Sequence, residues 1–185
     1  ITEWKNIPSS RFPINLKYVA RWICVPIKPY IFTQICKTNN DKFFCFIFKI
    51  LNFVILRWNI KVDYLEKEKM FEIKDGKNKI FVKRKTYINL YSKGIDYRLK
   101  NLEKEYLLEH INFYENDIII DVGACIGEVS MTLGKKKELK FFLFEPEENE
   151  YECIKKNLSF KNFEVYNLAL WNEIKEISFY AANEL

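Results

Sequence analysis

The chain has 185 residues, enough for one domain of ordinary size with an appendage, and its hydrophobic content of 49% is enough for a core. Its formal net charge of +5 is uneven: residues 1–62 carry ten Lys/Arg against Glu3 and Asp41, a net of +8, and residues 63–185 carry 20 against 23, a net of −3. Five cysteines without a C-x-x-C pair, and His110 as the one histidine, argue against a Cys/His zinc site or a Cys–His nucleophile pair. No nucleic-acid motif accompanies the basic excess.

Residues 1–39 read as irregular, with prolines at 8, 13, 26 and 29 and at most a short helix near 15–25. Residues 41–59 read as a helix, because FFCFIFKILNFVILRW is nearly apolar and helical in length. Its polar residues Lys42, Lys49, Asn52 and Asn59, spaced 7, 3 and 7 apart, fall on one stripe. The run is short for a bilayer span, which needs about 20 residues. Two fates stay open: a helix lying in the membrane interface with Lys and Arg at its edges, or one packed on the rest of the chain or on a second copy. Most of the cysteines (Cys24, Cys36, Cys45, Cys125, Cys153) sit in apolar runs, as small hydrophobes in a reducing compartment do. The expected location is the cytoplasm, with peripheral membrane contact through 41–59 as the open alternative.

Residues 69–87 read as a hairpin, Met70–Ile73 and Ile80–Val82 about Asp75-Gly76. Residues 97–112 read as an amphipathic helix with Leu99, Leu102, Tyr106 and Leu107 on one side, and His110 near its end as a helix-terminal group. From residue 118 strands and helices alternate: strand 118–122, helix 127–135, strand 139–144, helix 147–158, strand 163–168, and a further strand over 176–180. Short connections in that order imply parallel strands. The expected organisation is a basic, aromatic-rich region 1–62, a hairpin and lead-in helix 63–112, and an α/β region 113–185.

The segment Ile118–Gly127 carries the strongest functional signal. An apolar strand ends in Asp121, and Gly123-Ala124-Cys125-Ile126-Gly127 then turns into a helix. Glycines let a ligand approach the backbone closely. Eighteen residues past Gly127, the run Phe141–Phe144 ends in Glu145-Pro146, where an acid is placed to accept from ribose hydroxyls. A dinucleotide fingerprint needs a middle glycine, which is missing here. Asp121 would repel a pyrophosphate and attract a ligand's cationic amino group, which suits S-adenosylmethionine better than NAD. The helix start at 127 would favour that ligand's carboxylate. Glu147, Glu148 and Glu150 complement the dipole of the next helix.

Three stretches, IIIDVGACIGEVS (118–130), FLFEPEENEYECIKKNL (142–158) and NLALWNEIKEISFY (167–180), resemble the FkbM family of S-adenosylmethionine-dependent methyltransferases. The lead-in YSKGIDYRLKNLEKEYLLEHINFYENDIIIDVG is similar too, so the likeness runs over residues 91–185. Cys125 stands where the family commonly has Asn, and Glu148 where it has a second proline. The resemblance implies an α/β Rossmann-like class I methyltransferase fold, S-adenosylmethionine as cofactor, and O-methylation of a hydroxyl on a sugar or related metabolite. It implies cofactor contacts at Asp121, Gly123, Ala124, Cys125, Gly127 and Glu145, with Ala169, between Leu168 and Leu170, bordering the adenine. The residues themselves point to no metal site and no nucleic-acid partner, and no catalytic base can be named.

Family members continue for several strands, one with a D-x-E-G-x-E-like motif that has no counterpart here, so the chain reads as the amino-terminal part of a longer protein. In such a sheet 118–122 lies mid-sheet, and without later strands it presents an open, apolar edge. Two other readings stand beside the methyltransferase: an NAD-type or nucleotide-sugar enzyme, and a non-catalytic membrane-associated or interaction fragment.

Overall fold

The computed structural model describes residues 28–135, 138–159, 162–173 and 176. The helix expected near 15–25 and all but Glu176 of the strand expected over 176–180 lie outside these residues. Among them the protein is α/β, with a three-stranded antiparallel sheet followed by a three-stranded parallel sheet.

The first unit is assembled on aromatic side chains. Helix α1 (28–36) occupies ground expected to be irregular, with Thr33 Oγ1 donating to the Pro29 carbonyl at 2.9 Å. Helix α2 (Asp41–Leu51) starts at Asn40, whose side chain accepts from the Phe43 N–H at 3.0 Å. The helix expected to reach 59 ends sooner. A wider π-type turn spans Asn52–Leu56, and Arg57 reverses the chain in the left-handed conformation, φ +52°. Asn52 enforces this: its amide donates to the carbonyls of Trp58 and Ile60 and accepts from the Trp58 N–H. The expected polar stripe is therefore broken, because Asn52 is a structural strut rather than a solvated residue.

Strand β1 (Lys61–Leu65), which the sequence reading lacked, pairs antiparallel with β2 (Met70–Asp75), and β2 with β3 (Asn78–Val82). The β2–β3 loop is Gly76-Lys77, one residue on from the expected turn centre. Phe44 and Phe48 of α2 pack with Phe32 of α1, Trp58 and Phe71 of β2 at ring separations of 5.5 to 6.4 Å, and Phe32 and Trp58 meet at 4.9 Å. A 3₁₀ segment, Lys85–Tyr91, leads into α3 (Ile95–Glu105). Ile95, Leu99 and Leu102 are buried, but Tyr106 and Leu107 are exposed. The helix stops before them, at a left-handed Leu107 that starts a short 3₁₀ turn, Leu108–His110. His110 is exposed beside Glu109.

The parallel sheet has strand order β4 (Ile118–Val122), β5 (Lys140–Phe144), β6 (Phe163–Tyr166), with α4 (Glu128–Gly134) and α5 (Glu148–Asn157) between them. Alternation of side chains sends Phe141 and Leu143 to one face, where Leu133 of α4 and Ile154 of α5 bury them. The other face carries Ile118, Ile120 and Val122, then Phe142 and Phe144, then Tyr166. It is largely open among the described residues, with Ile120 62% exposed. Parallel sheets are ordinarily covered on both faces. Among the described residues β4 is an edge strand and one face of the sheet is packed.

One side chain joins the two sheets. Asn157, at the end of α5, accepts from the Phe81 N–H of β3 at 2.7 Å and donates to the carbonyls of Phe81 (3.0 Å) and Ile126 (2.9 Å). It thereby caps the free edge of the antiparallel sheet and fixes the β4–α4 loop. Replacing Asn157→Leu strands three buried backbone groups and should cost about 3 kcal/mol. In urea melts the midpoint should fall without a change in slope. The open-face change Ile120→Ser should stay within about 0.5 kcal/mol of wild type. Equal midpoints for wild type and Asn157→Leu would contradict the role of this bridge.

Candidate functional site

The loop between β4 and α4 concentrates left-handed backbone among the described residues. Gly123 (φ +75°), Cys125 (φ +52°) and Gly127 (φ +85°) all lie in the left-handed region. At Gly127 a Cβ would meet Leu158 Cδ2 at 3.4 Å, an ordinary contact, so the need for glycine there is conformational. The N–H groups of Gly123 (2.9 Å) and Ala124 (3.1 Å) both donate to the Phe144 carbonyl, which folds the loop across the carboxyl end of β5. Ala124 is buried and Gly123 is exposed.

Glu145 ties the loop down. Its Oε2 accepts from the Cys125 N–H at 2.8 Å and its Oε1 from the Glu147 N–H at 2.9 Å. Its own N–H donates to the Tyr166 carbonyl (3.0 Å), and its carbonyl accepts from the Asn167 amide (2.9 Å). One residue, 7% exposed, thus links the glycine loop, β5, the start of α5 and the end of β6. An ionised carboxylate has about four acceptor positions. Two are used here, one on each oxygen, and two remain.

Asp121 sits differently. Ser130 of α4 donates to its Oδ2 at 2.8 Å, and no cation pairs with it among the described residues. Burial pushes its carboxyl above the ordinary value, and the Ser130 hydroxyl only partly offsets this. An unpaired, partly buried acid is costly to keep, and it favours a cation arriving beside it.

Around this centre the polar contacts are structural. Glu128 of α4 accepts from the Tyr91 hydroxyl at 2.6 Å and from Arg98 of α3 at 3.0 and 3.1 Å. Burial, then the charge of Glu128, pushes the Tyr91 phenol up, so it stays a donor. Arg84 reaches Glu150 at 2.7 Å and Glu147 at 3.6 Å. The acids of the first turn of α5 therefore do more than complement a dipole, because Glu150 is buried against the arginine. The Cys125 thiol donates to the Tyr87 hydroxyl at 3.7 Å, and burial raises its pKa. Burial also lifts the Cys45 and Cys153 thiols to about 11 and about 12, which keeps both protonated and unreactive.

Of the residues singled out from the sequence, Gly123, Ala124, Cys125, Gly127 and Glu145 come together through these bonds, with Asp121 at the strand end beneath them. Ala169 lies exposed three residues past β6, and Asn167 ties its segment to the carbonyls of Glu145 and Pro146. The seven-residue α4 opens with Glu128, which pairs with Arg98. Arg98, Tyr91 and Arg84 carried no sequence signal, since their partners are 30, 37 and more than 60 residues away. Depressions elsewhere, such as the one lined by Asn116, Lys140 and Asn162, sit at the opposite end of the sheet. No family model, curated protein or solved structure matches the chain.

Two changes test this geometry. Glu145→Gln places an NH₂ group against one of the two backbone donors whichever way the amide turns. It should cost about 2 kcal/mol, lowering Tm by roughly 5 °C. Asp121 has a raised folded pKa, so the folded chain holds its proton more tightly than the unfolded chain. Its contribution therefore worsens as pH rises from the ordinary value of 3.8 through the raised one. Asp121→Asn removes that slope, so its stability relative to wild type should improve across that window and then level off. Parallel pH profiles for the two proteins would contradict the assignment.

Proposed function

We propose that the carboxyl ends of β4 and β5 bind S-adenosylmethionine, and that the chain is the cofactor-binding part of a methyltransferase of the FkbM kind with a Rossmann-like sheet. The observation that carries this reading is Asp121: a half-buried acid with one hydroxyl donor and, among the described residues, no cation partner, near the end of a parallel strand beside a glycine loop. The ammonium of the methionine moiety would supply the missing positive charge. The two open acceptor positions of Glu145 would take the ribose hydroxyls, while its other two hold the loop. Gly123, exposed and free of any neighbour within 4 Å of a notional Cβ, leaves room for the ligand against the backbone. Cys125 would contribute backbone rather than side chain, because its thiol points to Tyr87. Ala169 and its exposed neighbours Leu168 and Leu170 would flank the adenine.

The bound cofactor would supply an electrophilic methyl group. The chain's own residues hold the loop, orient the amino end and present an apolar border. The acceptor class that the resemblance implies is a hydroxyl of a sugar or related metabolite. A pyrophosphate cofactor fits less well, since an uncompensated Asp121 would repel it and the middle glycine of a dinucleotide loop is absent.

Calorimetric titration of S-adenosylmethionine and, separately, NAD tests the reading. The methionine cofactor should bind and NAD should not. Asp121→Asn should weaken binding about 10- to 100-fold through loss of a charge-assisted hydrogen bond, with the fold retained. NAD binding, or undiminished S-adenosylmethionine affinity in the Asn variant, would overturn it.

A further inference from the structure

Helix α2 has two apolar faces, and among the described residues one of them is buried. Phe44, Cys45 and Phe48 face the core. Phe43, Phe46, Ile50, Phe53 and Val54, spaced three, four, three and one apart, form the opposite face, with Phe46 59% and Phe53 83% exposed. The Asn52 strut and the left-handed Arg57 hold the π-type turn that displays Phe53 and Val54, so the exposure is built into the fold. A cluster of large apolar side chains held in water marks an interaction surface.

The charges around it select the partner. Residues 28–62 carry six Lys/Arg and one acid, Asp41, which Lys85 neutralises at 2.8 Å. Arg57 and Lys61 lie beyond one end of the helix and Lys37 before the other, all three exposed. Lys42 and Lys49 run along one edge in exposed pairs with Glu66 and Asp63, which are weak in water. A helix of 11 residues is about 16 Å long and about 10 Å wide. That footprint is a fraction of the roughly 800 Å² each partner contributes to a stable dimer. A second copy would also bring like charges together. A bilayer sets no minimum area and rewards an aromatic stripe with cations at its margins. None of the helices among the described residues is long and apolar enough to cross a membrane.

We propose that this face of α2 docks the protein on an anionic lipid surface, lying in the interface with Phe46 and Phe53 inserted and Lys37, Arg57 and Lys61 against the headgroups. The test is flotation of the full chain with vesicles of phosphatidylcholine and phosphatidylserine in equal amounts, against phosphatidylcholine alone. The protein should float with the anionic vesicles, less with the neutral ones, and less as salt is raised. Phe46→Ser/Phe53→Ser should reduce binding at least about tenfold at unchanged thermal stability, since both side chains are exposed. Arg57→Glu/Lys61→Glu is the independent variant and should reduce anionic binding alone. Absence of flotation by the wild type, or flotation unchanged in both variants, would overturn the proposal. So would a wild-type dimer that the Phe variant dissociates in the absence of lipid binding, which would assign the face to a second copy.

Discussion

The carboxylate of Glu145 is the constraint on which the candidate site depends. Backbone N–H groups at Cys125 and Glu147 point to one buried place, and leaving them without an acceptor would cost about 1–3 kcal/mol each. A single side chain satisfies both. Its backbone does the same for β6 and Asn167, so four segments separated in sequence share one residue. Cys125 holds a left-handed conformation that a non-glycine residue adopts only at a cost, and this anchoring keeps the loop in one conformation.

The antiparallel unit is the second support. Ile126 and Cys153 belong to the same core as the aromatic residues of α2 and the hairpin. Asn157 pins the loop from one side, and Glu128 with Arg98 and Tyr91 pins the start of α4 from the other. The result is a loop rigid on its inner side and open on its outer side, where Val122 and Gly123 are exposed. Rigid placement of polar groups is the property a binding site needs, because ordering then costs nothing when the ligand arrives.

Much of the fold was legible in the sequence where periodicity was strong. Strand β4 has the bounds expected of it, and β5, α5 and the β2–β3 hairpin lie within one or two residues of theirs. Helix α1 was hidden by Pro26 and Pro29, which read as breakers although a proline is tolerated in a first turn. Strand β1 was hidden because the apolar run before it was read as helix to residue 59. Periodicity also misjudged Tyr106 and Leu107, because it continues past the point where the backbone turns left-handed. The candidate site residues were readable as a motif, but the bonds of Glu145 were not. Nor were Asn157 and Glu128, whose partners lie up to 76 residues away and leave no local pattern. The open edge at β4 was expected from the sequence, whereas the uncovered face carrying Ile118, Ile120 and Val122 was not.

The most direct measurement is an amide NMR titration of the full chain with S-adenosylmethionine. The account predicts shifts concentrated at Gly123–Gly127, Glu145–Glu147 and Leu168–Leu170, with the amides of α2 unmoved. Shifts centred on the opposite end of the sheet, around Asn116 and Asn162, or no shifts at saturating ligand, would contradict it.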